Sequence, residues 1–404
     1  MVRLLLALSL LIVSLRASLA GPAAYGPVSP TALSDQARVS VITCGPGDQI
    51  YSVFGHTALR IADPVHRIDR VYNYGTFDFN TPNFYLKFAR GDLAYFLSVA
   101  SFEQFVYAYQ LENRSLSEQV LRLNGTQVQA LYNRVEENLR PDKMYYRYQF
   151  FADNCTTRIY HLLAQSLGES LTTDTSYIRQ PASYRQLFTP YLRNFPWVRV
   201  GMNIGLGAET DRKVSFEERL FLPETLETAL NHSHNHAEPL VARVNPLFTP
   251  VAGAQEDAST GISPLLLLVI MAAVAAVLSL RQYRKGISAP LFDGLVFGIT
   301  GLIGLVLLLL WVFSLHTPTH WNQNLLWLMP LNLPFVAGGK RWGRLGEYYA
   351  KANLLLLGTL LVINPVLQLF IAEFYPVAFT LMLRFQAIGP IKSRRISPAE
   401  RVAG

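Results

Sequence analysis

The feature that most limits what this chain can fold into is a series of long apolar runs in its last third. They fall at about Ile262–Leu280, Gly294–Ser314, Leu325–Ala337, Asn353–Phe370 and Tyr375–Gly389. A helix needs about 20 apolar residues to cross bilayer hydrocarbon, and the first, second and fourth runs have that length. The third is short and carries Pro330 and Pro334, so it reads as a tilted or broken span or a re-entrant segment. Charge between the runs sets the orientation. Arg281, Arg284 and Lys285 follow the first run, Lys340, Arg341, Arg344 and Lys351 part the third from the fourth, and Lys392, Arg394 and Arg395 follow the last. The alternate connections, His316–Asn324 and Ile371–Phe374, hold no Lys or Arg. The positive-inside rule then predicts an all-α membrane domain of five helices over 261–404, with the preceding chain outside and the tail in the cytoplasm.

Residues 261–404 carry 12 Lys and Arg against 4 Asp and Glu, while residues 1–260 carry 23 against 24. The whole basic excess therefore flanks apolar runs, a pattern of membrane loops that excludes a nucleic-acid partner. The amino terminus agrees with the orientation. Arg3 precedes the apolar stretch Leu4–Val13, and the small residues Ser18 and Ala20 stand before Gly21 at the spacing of a cleavage site. Residues 1–20 read as a secretory signal peptide, with an uncleaved anchor as the alternative because Arg16 lies within the cleavage region.

Residues 21–230 are enough for one outer domain of ordinary size. Val39–Thr43, His56–Ile61 and Arg70–Tyr74 read as short strands, parted by turn signals such as Gly45-Pro46-Gly47 and Asp63-Pro64. Thr126–Leu139 reads as a helix with Val128, Leu131, Val135 and Leu139 on one face and Pro141 as its stop. Cys155–Leu167 reads as a second, apolar at Ile159, Leu162, Leu163 and Leu167 and closed by Gly168. Tyr145–Phe151 is aromatic and strand-like. The mixture predicts an α+β domain, a small, mostly antiparallel sheet carrying helices. Residues 231–260 read as a linker. Its alternating His232, His234 and His236 suit a metal in an extended chain, and a polar spacer is the simpler reading.

Cys155 is the most informative residue of the outer domain. It stands in Asp153-Asn154-Cys155-Thr156-Thr157-Arg158 at the start of the second helix, where Asp153 or Asn154 can cap. In a first turn the unpaired N–H groups and the helix dipole stabilise a thiolate, and the same groups can hold an oxyanion. A buried cysteine beside an ordinary cap fits the spacing equally well. A nucleophilic thiol needs a base. His161 lies on the cysteine's own helix and points elsewhere, and His66 follows a surface turn. That leaves His56, at a strand start in Phe54-Gly55-His56-Thr57-Ala58-Leu59-Arg60, with Gly55 making room beside its ring. Gly201–Gly207 lacks the Lys-Ser/Thr of a phosphate loop and no cysteine spacing suits zinc, so neither cofactor nor metal is expected.

Phe54 to Arg60, then Tyr72-Asn73-Tyr74-Gly75-Thr76-Phe77-Asp78-Phe79, then Asp153 to Arg158 resemble, in this order, the Lnb N-terminal periplasmic domain. Glu217–Leu226, with Phe221-Leu222-Pro223, looks like that domain's end, so the resemblance covers about residues 38–226. It implies a permuted papain-like fold, related to NlpC-type hydrolases and lecithin:retinol acyltransferase, in which the histidine precedes the cysteine. It also implies a lipoprotein transacylase of the bacterial inner membrane. Such an acyltransferase moves an acyl chain from the glyceryl group of a lipoprotein to its N-terminal cysteine amine through a thioester. Cys155 then carries over as nucleophile and His56 as base, with bacterial lipoproteins and membrane lipid as partners.

Supporting residues follow from their positions. Asn73 or Asp78 is expected to orient the imidazole, Asn154 to cap the helix, and Arg158 to reach a core carboxylate or a lipid phosphate. His316 and His320, with Trp321 and Asn322, fall in an outer loop and either serve the site or anchor the interface. Docking of the outer domain on His316–Asn324 is expected to hold the site at headgroup level. Two alternatives remain at this point. One is a cell-wall cysteine peptidase or amidase with the same dyad, against which the membrane helices argue. The other is a non-catalytic membrane scaffold in which Cys155 pairs with Cys44, as an oxidising compartment and just two cysteines permit.

Overall fold

The structure, a computed structural model, describes residues 32–251, 261–338, 342–367 and 370–388. The expected signal peptide, residues 252–260, Lys340 and Arg341, and the tail with Lys392, Arg394 and Arg395 lie outside the described residues.

The outer part is a mixed α and β domain built on one antiparallel sheet. Its strands are β1 Arg38–Cys44, β2 His56–Asp63, β3 Ile68–Thr76, β4 Ala94–Ser101, β5 Leu116–Leu121 and β6 Tyr145–Arg147. After a small second sheet of β7 Leu171–Thr173, β8 Ser233–Asn235 and β9 Glu238–Pro239, β10 Val241–Phe248 returns to the first. The order across the main sheet is β10-β5-β1-β2-β3-β4-β6. Helices α1 Phe84–Arg90 and α2 Phe102–Leu111 flank β4, and α3 Gly125–Asn138, α4 Cys155–Leu167, α5 Pro196–Gly205 and α6 Pro223–Asn231 follow.

Alternation along β1 divides two cores, because successive side chains point to opposite faces. Val39 and Val41 join Leu59, Ile61, Tyr72 and Tyr74 under α3, α4 and α6. Ile42 and Cys44 join Ala58, Val71 and Leu116 under Phe105 of α2. Helix α4 is held to the first core by Ile159, Leu162, Leu163 and Leu167, all buried, each stabilising by roughly 1.5–3 kcal/mol. Gly168, with φ 55°, ends it.

Residues 231–248 are not a linker. β10 hydrogen-bonds along β5, and Asn245 Nδ2 donates to Glu118 Oε2 at 2.8 Å. Glu118 is buried and also accepts from Ser40 Oγ at 2.7 Å and Arg60 Nη1 at 2.8 Å. The segment reads as a spacer because Arg243 and Pro246 break its alternation; both are tolerated on an edge strand, whose outer side has no ladder to lose. His232 stacks on Tyr177 at a centroid distance of 4.3 Å and hydrogen-bonds the Thr228 carbonyl at 2.9 Å. Among the described residues, no group of three or more His, Cys, Asp or Glu gathers to hold a metal.

The C-terminal region is helical: α7 Pro264–Lys285, α8 Pro290–Phe313, α9 Asn332–Gly338, α10 Gly343–Leu367 and α11 Phe374–Ile388. Among the described residues, α7 and α8 are each long and apolar enough to cross a membrane. Leu266, Ile270, Val277, Leu295, Ile299 and Leu302 stand exposed along them, a surface that suits lipid and not water. The third apolar run is broken, as its prolines suggest: a short turn at Gln323–Leu326, irregular chain, then α9. It presses on α8 where that helix is smallest. A Cβ on Gly304 would lie 1.7 Å from the Leu328 carbonyl oxygen, and one on Gly301 would lie 2.8 Å from Leu333. Asn332 bridges Thr300 Oγ1 at 3.1 Å and the Tyr349 hydroxyl at 2.7 Å. Arg384 of α11 donates to both oxygens of Asp293, from Nε at 2.5 Å and Nη2 at 2.9 Å; Nη2 also donates to Gln282 Oε1 and Nη1 to Ser279 Oγ. This buried fork ties α7, α8 and α11 together.

Candidate active site

The site is set by the cap of α4. Asn154 is extended, and its Oδ1 accepts from the Thr156 and Thr157 N–H groups, both at 2.9 Å, while Thr157 Oγ1 accepts from the Asn154 N–H at 2.8 Å. Asn154 Nδ2 donates to the carbonyls of Phe150 and Phe221 at 2.8 and 2.7 Å, which fixes the cap against two other segments. Of the two capping candidates Asn154 is the one used. Asp153 instead holds Arg158 through contacts of 2.6 and 2.7 Å, and that guanidinium lies 3.4 Å from the Tyr146 ring centroid. Arg158 thus finds its carboxylate within its own domain.

Cys155, the first residue of α4, fits into a gap in the sheet. β2 and β3 pair from Asp63↔Ile68 as far as Leu59↔Tyr72. Beyond that point β3 bulges, with a register shift between Asn73 and Thr76 and φ 89° at Gly75. A Cβ on Gly75 would lie 3.2 Å from the Tyr148 ring and 3.7 Å from Cys155 Cβ, so the glycine supplies both the bend and the clearance. The Thr57 backbone N–H donates to the sulfur, and Thr156 Oγ1 lies 3.7 Å from it and 3.2 Å from Thr57 Oγ1.

His56 opens β2 beside this gap and hydrogen-bonds the Cys155 thiol. Its Nε2 lies 3.4 Å from Asn73 Oδ1. With Nε2–H assigned to Asn73, Nδ1 is the nitrogen left for sulfur. Burial by itself raises the Cys155 pKa, but the charge and hydrogen bond of His56, then the Thr57 N–H and the Thr156 hydroxyl, outweigh it and lower the thiol to about 7. The Tyr148 hydroxyl also hydrogen-bonds Cys155. Burial first, then the nearby sulfur charge, hold its pKa well above the ordinary value, so it remains a donor at neutral pH.

Two expectations about this region need correction. Gly55, with φ 79°, does not clear the imidazole; a Cβ there would lie 2.6 Å from the Cys44 carbonyl oxygen, so it permits close approach to β1. The first turn of α4 does not offer a set of open N–H groups, because Asn154 takes those of Thr156, Thr157 and Arg158, the last through its carbonyl at 3.1 Å. The N–H of Cys155 itself is left. The scaffold alternative also meets an obstacle. Cys44 and Cys155 are free thiols packed on opposite faces of the sheet, and burial pushes Cys44 up to about 12.

The remaining candidates disperse. Asp78 is exposed and caps a turn through the Asn80 N–H at 2.8 Å, so Asn73 alone of that pair reaches the imidazole. His66 pairs with Asp63 at 2.8 Å, and His161 is exposed on α4. His316 and His320 do not reach the thiol. His316 Nε2 donates to the Phe88 carbonyl at 2.8 Å, and His320 Nε2 to that of Ser314 at 3.2 Å. They hold the outer loop, which in turn holds the outer domain. Gly207 N–H donates to the Pro318 carbonyl at 2.8 Å, Asn322 Nδ2 to the carbonyls of Ile204 and Gly205 at 2.7 and 3.0 Å, and Arg199 pairs with Glu373. Thr57, Gly75, Tyr148 and Thr156 stand around the sulfur, and spacing along the chain does not mark them. Tyr148 sits in the aromatic stretch 145–151, which was the one available signal.

A buried thiol beside a half-buried imidazole, in a domain seated on helices that fit a bilayer, defines a membrane protein with its candidate site outside the helical region. Two family models match the chain, the Lnb N-terminal periplasmic domain over residues 30–189 and the Lnb transmembrane domain over residues 255–395. The chain belongs to the Lnb family. The first match ends before Phe221-Leu222-Pro223, although Phe221 supports the Asn154 cap. No curated protein and no solved structure matches the chain.

Proposed function

We propose that the protein is a lipoprotein N-acyltransferase of the bacterial inner membrane, with a signal peptide over 1–20, a permuted papain-like periplasmic domain over about 21–251 and a five-span membrane domain. The observation that carries this reading is the chain of contacts Asn73–His56–Cys155, with its thiol near pKa 7, in a domain held against membrane helices. The Cys155 thiolate attacks the ester carbonyl carbon of a diacylated lipoprotein. A carbon–sulfur bond forms, the carbon–oxygen bond of the glyceryl ester breaks, and His56 gives the leaving oxygen its proton. The lipoprotein's N-terminal amine then attacks the thioester. Its carbon–nitrogen bond forms as carbon–sulfur breaks, and the amine proton passes to His56. Ester becomes amide, a downhill exchange. The Cys155 N–H and the Tyr148 hydroxyl are the donors available for the carbonyl oxygen.

Mass spectrometry of lipoprotein N-termini, from cells with and without the protein, tests the reading. An N-acylated lyso form seen with the protein alone is the expected result. Identical N-termini in both, with altered cell-wall peptides, overturn it in favour of a peptidase or amidase.

A further inference from the structure

Helix α1 is at odds with the rest of the outer domain. It buries none of its seven residues, and Tyr85, Leu86 and Phe88 are 79%, 61% and 52% exposed. Such a helix is a poor element for a water-facing surface. Yet it is firmly placed: Leu315 N–H donates to the Arg90 carbonyl at 2.7 Å, Ser314 Oγ to that of Ala89 at 3.0 Å, and His316 Nε2 to that of Phe88 at 2.8 Å. All three donors follow directly on Phe313, the last residue of α8. A helix bonded to the outer end of a span lies at the level where hydrocarbon gives way to headgroups. Other aromatic residues mark the same level. Trp197 Nε1 donates to the Ile262 carbonyl just before α7, and Trp311 packs on the exposed Trp321 with centroids 5.3 Å apart.

From α1 a row of rings runs inward. Phe84 lies 5.8 Å from Phe77, Phe77 lies 5.4 Å from Tyr95, and Tyr95 stacks on Tyr148 at 4.5 Å, centroid to centroid. Tyr148 touches Cys155. We infer that α1 is an interfacial helix whose aromatic face enters the outer leaflet of the bilayer, and that the rings from Phe84 to Tyr148 guide an acyl chain from that leaflet to Cys155. The occupant of this face is lipid. Its chemistry fits a short helix with Tyr, Leu and Phe to insert and Lys87 to meet phosphate headgroups. The second half of the inference rests on the acyl-transfer reading; the first does not.

Depth is therefore measured apart from activity. Full-length protein carrying Cys155→Ser receives a nitroxide label at Leu86→Cys and is reconstituted into phosphatidylcholine–phosphatidylglycerol vesicles. A second sample is labelled at Val65→Cys, in the exposed β2–β3 turn at the far end of those strands from the site, about 25 Å away. Power saturation is expected to show the Leu86 label open to oxygen and shielded from a nickel chelate, and the Val65 label the reverse. Equal nickel accessibility overturns the lipid assignment, and points to a protein partner for this face. In the otherwise native chain, Leu86→Asp with Phe88→Asp is expected to lower acyl transfer from vesicle-bound lipoprotein at least tenfold. Alkylation of Cys155 by water-soluble iodoacetamide should stay within twofold, which also reports that the site is folded. Transfer unchanged in that variant removes the guiding role even if the label is deep. Absence of transfer in the native chain refutes the function and leaves the depth result standing.

Discussion

Arg384 at one end of the membrane domain and Cys155 in the outer domain are both buried polar groups at the meeting of three elements, and their surroundings are opposite. Each nitrogen of Arg384 has a partner, and the charge is cancelled by Asp293. Nothing is left over for a ligand. Cys155 is also surrounded, but its partners, the Tyr148 hydroxyl among them, stabilise the charged form and so ready it to react, and its own N–H is left over. A saturated buried group holds helices together; an unsaturated one can take part in a reaction. That difference separates staple from site more sharply than burial does.

The largest effect that tests it is at the thiol. Cys155→Ala is expected to lower acyl transfer at least about ten-thousandfold, the scale for losing a covalent nucleophile, while the thermal midpoint moves little. Full activity in Cys155→Ala membranes sinks the mechanism. Arg384→Ala is expected to do the converse, costing about 3–5 kcal/mol of stability because buried Asp293 loses its ion-pair partner. Thermal unfolding in detergent checks this. Replacing both partners, Arg384→Met with Asp293→Leu, should recover most of the loss, and no recovery would mean that the fork does more than staple.

A third prediction sharpens the reading of the site's open valence. Tyr148→Phe should lower kcat about a hundredfold with KM nearly unchanged, as expected for a donor used mainly in the transition state. His56→Ala should cost about as much through loss of the base. If Tyr148→Phe changes KM and leaves kcat alone, the hydroxyl is only a wall of the substrate path.

How far such groups were legible in the sequence depends on how local their signals are. The apolar spacing of α4 and the strand start at His56 are written within a few residues, as is the cap, for which Asp153 and Asn154 are both local candidates and Asn154 is the one used. The first long apolar run is equally local, and it lies on α7, the first helix of the C-terminal region. Thr57 and Tyr148 depend on a bulge at Gly75 opening a gap in the sheet, which no spacing along β2 announces. Strand β5 hides for another reason: Glu118 and Gln119 look like surface residues, yet Glu118 is buried against Ser40, Arg60 and Asn245 from three strands. The same carboxylate accepts from Asn245 of β10, a long-range bond that local spacing does not reveal, and β10 therefore reads as a spacer. Asp78 shows the limit from the other side, a carboxylate near the right motif that ends in an exposed turn.

The smallest effect concerns the second thiol, and the expected change there is none. Cys44 stands directly across from His56 in the β1–β2 register, one strand from the chemistry, yet it faces the other core. Alkylation reads thiolate, whose fraction rises with pH and reaches half at the pKa. For Cys155 that is about 7, whereas for Cys44 it is about 12. Titrating iodoacetamide reactivity of the unreduced protein between about pH 5 and 9 should therefore give one rising curve with a midpoint near 7 and one alkylated thiol. Cys44→Ser should leave both the midpoint and the transfer rate unchanged within about twofold. His56→Ala should move the midpoint upward, past the ordinary thiol value of about 8.5, because burial then has little to oppose it. A Cys44→Ser variant that shifted the Cys155 midpoint would mean that the two faces of the sheet are coupled electrostatically, and the division between a reactive and an inert buried thiol would have to be redrawn.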